Sequence, residues 1–92
     1  MKRYVIERII PGIGSKTAEE YREAAKVSNA ALAKLAPRVQ WVQSYFAGDM
    51  TYCVYLAEDA EDIRRHAELS GFPANKITQI KVVVDPSTAE AA

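Results

Sequence analysis

An α+β sandwich, with four antiparallel strands and two helices on one face, is the fold class this sequence predicts. Three observations predict it. Two stretches each read as strand, helix, strand. A tight turn joins them as a hairpin. Both helices carry start and stop signals at the spacing that capping requires.

The first strand is read over residues 3–9, Arg-Tyr-Val-Ile-Glu-Arg-Ile, from its β-branched and aromatic content. Pro11-Gly12-Ile13-Gly14-Ser15-Lys16 is a loop, expected to be a flexible connector. Thr17 with Glu20 three residues later is a capping box and opens the first helix. Its inward stripe is Tyr21, Ala25, Ser28, Leu32 and Leu35, widened by Ala24 and Ala31. Pro37 ends it at Ala36, because the residue before proline disfavours the α conformation. Residues 39–47 and 50–57 are the second and third strands, turned by Gly48-Asp49. Asp59 caps the second helix, and Glu61 and Asp62 sit where the helix dipole favours acids. Its apolar face is Ala60, Ile63, Ala67 and Ser70, and Gly71 and Pro73 stop it. Residues 76–85 read as the fourth strand. Two right-handed β-α-β halves joined this way give a ferredoxin-like sandwich. Residues 1–86 form the single domain, and 87–92 a short C-terminal tail expected to fray.

The chain has 92 residues, so its core is thin; folding buries only roughly 60–65% of the unfolded surface. Twelve basic and twelve acidic residues give zero formal charge. That balance argues against a nucleic-acid partner and against an acidic membrane surface. No apolar run approaches the ~20 residues of a membrane span, and Glu7 interrupts the N-terminal apolar stretch before a secretory signal can form. One cysteine, Cys53, permits no intrachain disulfide. A cytoplasmic location is the resulting expectation.

Strand residues alternate between faces. A two-residue turn places Trp41, Gln43 and Tyr45 with Tyr52, Val54 and Leu56. Val42, Ser44 and Phe46 then share the other face with Thr51, Cys53 and Tyr55. Both sets are apolar and aromatic, whereas a sheet with one wet face alternates cleanly. The expected cover for the second face is another copy of the chain, a homodimer.

Gly12 to Thr17 lacks the two glycines of a phosphate loop at their required positions, so no nucleotide is expected. His66 is the only histidine and projects between Ile63 and Ala67, toward the sheet, with Asp62 one turn away. It reads either as a helix-terminal histidine satisfied by Asp62 or as a metal ligand or acid/base group. Imidazole sites usually recruit three or more protein ligands, so carboxylates such as Glu7, a second copy or water would have to complete a shell. Glu7 is an ionisable group in an apolar strand, paired by Arg3, Arg8 or Lys81 or else a site carboxylate. Cys53 reads as a small buried hydrophobe. Trp41, Tyr45, Tyr52 and Tyr55 read as core or interface, or as the lining of a ligand pocket, and in an enzyme the wall of a small-molecule pocket would be Trp41, Tyr45, Tyr52 and Phe72. No catalytic triad or carboxylate pair emerges from spacing.

Tyr4-Val5-Ile6-Glu7-Arg8 with Pro11-Gly12, Gln40-Trp41-Val42-Gln43-Ser44-Tyr45, Tyr52-Cys53-Val54-Tyr55, Ile63-Arg64-Arg65-His66-Ala67 and Gly71-Phe72-Pro73-Ala74-Asn75-Lys76-Ile77 together resemble the domain of unknown function 4242 family of small bacterial proteins. The resemblance runs from about residue 3 to about residue 86. It implies a ferredoxin-like fold, a dimer and, for a characterised relative, nickel binding, but no reaction. By the matching segments it carries over His66 and Glu7 as candidate metal ligands, and Asp62, one turn from His66 on the helix, is the third candidate. A binding protein for nickel or another divalent transition metal is therefore the leading expectation. The alternatives are an enzyme for a small aromatic or lactone substrate, with His66 or Glu7 moving a proton, and a structural or regulatory interaction domain.

Overall fold

Eight residues of alternating burial, Lys2–Ile9, build the first strand, β1, in the computed structural model, which describes residues 1–90. Tyr4, Ile6 and Arg8 point to the buried side. The other elements are helix α1 (Ala18–Leu35), β2 (Val39–Phe46), β3 (Met50–Ala57), helix α2 (Ala60–Ser70) and β4 (Lys76–Gln79). The sheet order is β2-β3-β1-β4, antiparallel throughout, which is the ferredoxin-like arrangement. Both helices pack on the side that holds Tyr4, Ile6, Cys53, Tyr55 and Ala57. Ile6 and Ile63 are fully buried there, each contributing about 1.5–3 kcal/mol.

The helix signals act as expected. The Thr17 hydroxyl accepts from the Glu20 backbone, and the Glu20 carboxylate accepts from the Thr17 N–H. Asp59 caps α2 through the Asp62 N–H at 3.0 Å, and Gly71 ends it in the left-handed conformation, φ 79°. Ser28 and Ala31 are buried on α1, with Tyr21, Ala24, Ala25, Leu32 and Leu35 half-buried beside them. Among the described residues, no helix is long and apolar enough to cross a membrane.

Three expectations need correction. First, the β2–β3 pairing is not a regular alternation. Trp41 lies opposite Tyr55 and Gln43 opposite Val54, so Val42 is an extra residue, a β-bulge. Trp41 therefore shares the helix-facing side with Ser44 and Phe46, and parts from Tyr45 and Tyr52. The Trp41 indole N–H donates to Ser44 Oγ at 2.9 Å across the bulge. Second, β4 ends at Gln79, not Asp85. Ile80 still donates to the Arg3 carbonyl, but β1 begins at Lys2, so residues beyond 81 meet no partner in register. Val82, Val83 and Val84 are consequently exposed. Third, Pro86–Glu90 forms a short 3-10 turn, with Asp85 accepting from the Ser87 N–H and donating its own N–H to Thr88 Oγ1. The remainder of the expected frayed tail, residues 91–92, lies outside the described residues.

The 10–16 loop is pinned rather than flexible. Ile10 N–H donates to the Asp49 carbonyl, Gly12 N–H to Asp49 Oδ1 and Gly14 N–H to the Gly48 carbonyl. Tyr21 Oη donates to the Ile13 carbonyl at 2.8 Å, tying the loop to α1. A β-carbon on Gly14 would sit 2.1 Å from the Ala47 carbonyl oxygen, a backbone atom that has no room to turn aside. Gly14→Ala is therefore expected to destabilise the fold by about 1–3 kcal/mol, through the overpacking that forces backbone shifts. Chemical denaturation of the two chains is the measurement.

Candidate functional site

A cavity of about 410 Å³ lies between the sheet and α1. Its sheet side is Arg8 from β1, Trp41, Ser44 and Phe46 from β2, and Thr51, Cys53 and Tyr55 from β3. Tyr21, Ala24, Ala25 and Ser28 of α1 form the opposite wall, and small residues at 24, 25 and 28 are what leave the space open. Ile10 and Ile13 of the pinned loop close one side, and Phe72, just beyond α2, another. Tyr21 and Phe46 meet edge to face, ring centres 5.4 Å apart. Phe46 is 40% exposed, so the cavity reaches the surface there.

The polar end of this space is unusual. Arg8 is 2% exposed, and none of its three guanidinium nitrogens has a hydrogen-bond partner among the described residues. Its charge stands 5.7 Å from the centre of the Tyr55 ring, a cation–π contact that offsets only part of the desolvation. An unpaired buried ion costs several kcal/mol even after relaxation, about the scale of a small domain's whole margin. Burial raises the Tyr55 phenol above its ordinary pKa, while Arg8 pulls it down.

His66 stands behind this floor. It is fully buried, its ring centre 5.1 Å from that of Tyr55. Its Nε2 shares a 3.1 Å hydrogen bond with Ser28 Oγ, and its Nδ1 has no partner among the described residues. A bare acceptor at Nδ1 costs less than an unpaired buried N–H. Nε2–H is therefore assigned as the donor to Ser28 Oγ, and the Ser28 hydroxyl proton is directed to the side where it lowers the Tyr55 phenol pKa. Burial, reinforced by the Arg8 charge, pushes the His66 pKa down to about 4, so the ring is neutral near pH 7.

The three residues expected to share a metal are not brought together in one chain. Asp62 turns away from His66 and takes a fork of bonds from Arg38, at 3.0 and 3.1 Å from Nε and 2.9 Å from Nη2. That guanidinium holds the Asp62 carboxyl below the ordinary carboxylate range. Glu7 alternates with Ile6 and Arg8, so it faces the opposite side of the sheet, beside Tyr52 and Lys76. Its expected pairing with Arg8 is thereby excluded, and among the described residues no cation lies within 4 Å of it. Nor do the described residues group three His, Cys, Asp or Glu side chains around any one point. Cys53 is buried with the Thr51 hydroxyl 3.6 Å from its sulfur, matching the reading as a small hydrophobe.

Of the expected pocket residues, Trp41, Tyr55 and Phe72 line the cavity, while Tyr45 and Tyr52 stand on the open face, 58% and 38% exposed. Sequence reasoning missed Arg8, Ser28, Phe46 and Tyr21 as cavity residues. Arg8 had a legible signal: period two from Tyr4 and Ile6 sets it on the apolar side.

The His66 shift has a pH signature. A proton binds the unfolded chain below pH 6.5 but the folded chain only near 4. Stability from this group is therefore complete above pH 6.5 and declines as pH falls toward 4, by up to about 3 kcal/mol. Urea titrations across this range are expected to show that loss, and a His66→Gln chain a smaller one.

A family model described as nickel responsive protein SCO4226-like matches residues 4–80. The crystal structure of SCO4226 from Streptomyces coelicolor A3(2) is similar at a TM-score of 0.73 and 19% sequence identity, covering 89% of this chain and 99% of that chain. Identity this low carries the fold alone. No curated protein matches. Matched by the family model over most of its length, the chain belongs to the SCO4226-like family of nickel responsive proteins.

Proposed function

We propose that this chain is a cytoplasmic, homodimeric binding protein that takes a small organic molecule into the cavity between the sheet and α1. The cavity itself carries this reading. Its volume falls at the small end of the roughly 300–1,000 Å³ typical of ligand sites, and it has an aromatic wall with a few polar groups at one end. A side-chain-filled interior would have ended the proposal. The second copy is supported by Tyr45, Tyr52 and Val82 to Val84, large exposed groups on a sheet face and beyond the end of an edge strand. The geometry favours binding over catalysis. His66 is held behind Ser28 rather than in the lining, and Glu7 is on the other face.

1-Naphthylmethanol, a neutral aromatic probe, is expected to change the fluorescence of Trp41, the single tryptophan. Ala25→Phe, which fills the cavity from α1, is expected to abolish the change while the far-ultraviolet circular dichroism is kept. Binding that survives this substitution would refute the cavity as the site.

The family description favours a second reading, binding of nickel, which the resemblance to the domain of unknown function 4242 family also implies. The residues of one chain do not fit a chelate. Asp62 is engaged by Arg38, and the Arg8 charge beside His66 opposes a second cation. This reading therefore draws His66, Glu7 or Asp62 ligation, together with water, from two copies. Sedimentation at micromolar concentration is expected to give a two-chain mass, and calorimetry weaker nickel binding for His66→Ala than for the native chain. Equal affinities would remove His66 from any metal site.

A further inference from the structure

Arg8 is a charge folded into an apolar layer, and among the described residues no carboxylate pairs with it. Asp62, the nearest carboxylate on α2 to the buried layer, is already held by Arg38. The acids of α1, Glu19, Glu20 and Glu23, lie on its exposed side. Glu7 is on the far face of the sheet. Among the residues that line the cavity, Arg8 is the one lysine, arginine, aspartate or glutamate.

Resting on the reading of the cavity as a ligand site, we infer that its guest is an organic monoanion, a carboxylate with a ring-bearing apolar body. The carboxylate pairs with the Arg8 guanidinium, whose planar fork offers two parallel N–H donors to two oxygens. With His66 Nε2–H as the donor across their 3.1 Å contact, the Ser28 hydroxyl keeps its own proton and adds a second donor for the guest. The body of the guest lies along Trp41, Phe46 and Phe72, the aromatic wall. One cation balances one negative charge, which selects a carboxylate over a phosphate dianion, whose second charge would be left buried and unpaired.

The chemistry also explains why the histidine is neutral. A protonated His66 would bring a second positive charge close to Arg8, and the anion would then face two cations in a site built for one. His66 acts as a positioning residue, orienting Ser28 rather than touching the guest.

The test compares 1-naphthoate with 1-naphthylmethanol on the native chain and on Arg8→Met, by Trp41 fluorescence and calorimetry. Native protein is expected to favour the carboxylate by roughly 10- to 100-fold, the worth of a charge-assisted hydrogen bond. Arg8→Met is expected to erase that preference while still binding the alcohol. Equal binding of the two probes by native protein would overturn the anion assignment and leave the cavity as a neutral-ligand site. Binding of neither would overturn both readings. Chloride or inorganic phosphate raising the melting temperature as far as naphthoate does would mark Arg8 as a simple-ion site and overturn the organic guest. The native-chain comparison stands even where Arg8→Met fails to fold.

Discussion

On its central strand the protein carries an arginine where two-residue spacing has just set a tyrosine and an isoleucine. Tyr4, Ile6 and Arg8 all face the helices, and β1 is hydrogen-bonded on both edges, so none of them can rotate away. The guanidinium is therefore committed to the interior. Everything around it follows from that commitment. Tyr55 supplies a ring face, His66 stays uncharged, and α1 presents alanine, alanine and serine where larger residues would fill the space. A protein seeking only stability would put leucine at position 8, because a well-packed apolar residue outperforms an uncompensated ion. Keeping the charge makes sense where something arrives to meet it.

The framework that holds this arrangement is stiffer than its size suggests. Three backbone donors from the 10–16 loop lock onto the β2–β3 turn, and Tyr21 bolts the loop to α1. Arg38, just ahead of β2, grips α2 through Asp62. The first group of contacts frames the cavity and the second fixes the helix that carries His66. A domain of this length buries a modest core, and these polar ties at the ends of elements limit the ways in which the layers can slide.

Much of the fold was readable because local rules agreed. Thr17 and Glu20, Asp59 and Gly71, and the α1 stripe all did what their spacing dictates. The sheet's sidedness was not readable, because strict alternation was counted straight through Val42. Nothing local marks that bulge; Val42 is a good strand residue, and only pairing with β3 exposes it as surplus. The length of β4 failed for a related reason. Residues 80–85 have strong strand propensity, but a strand also needs a neighbour to bond to, and β1 gives out at Lys2. The site was legible in part. His66 pointed inward as projected, whereas the supposed Asp62 neighbour was claimed by Arg38, a competitor 24 residues away that helical spacing cannot reveal.

The bulge has a mechanical meaning apart from which way side chains face. Eight residues of β2 run beside seven of β3. When one rail of a track is longer than the other, the track must curve, and here the surplus is concentrated next to Trp41. Taking Val42 out would leave Trp41, Ser44 and Phe46 on their present side and would only straighten the rail. The surplus residue thus sits at the border of the hollow under α1, next to a tryptophan that lines it.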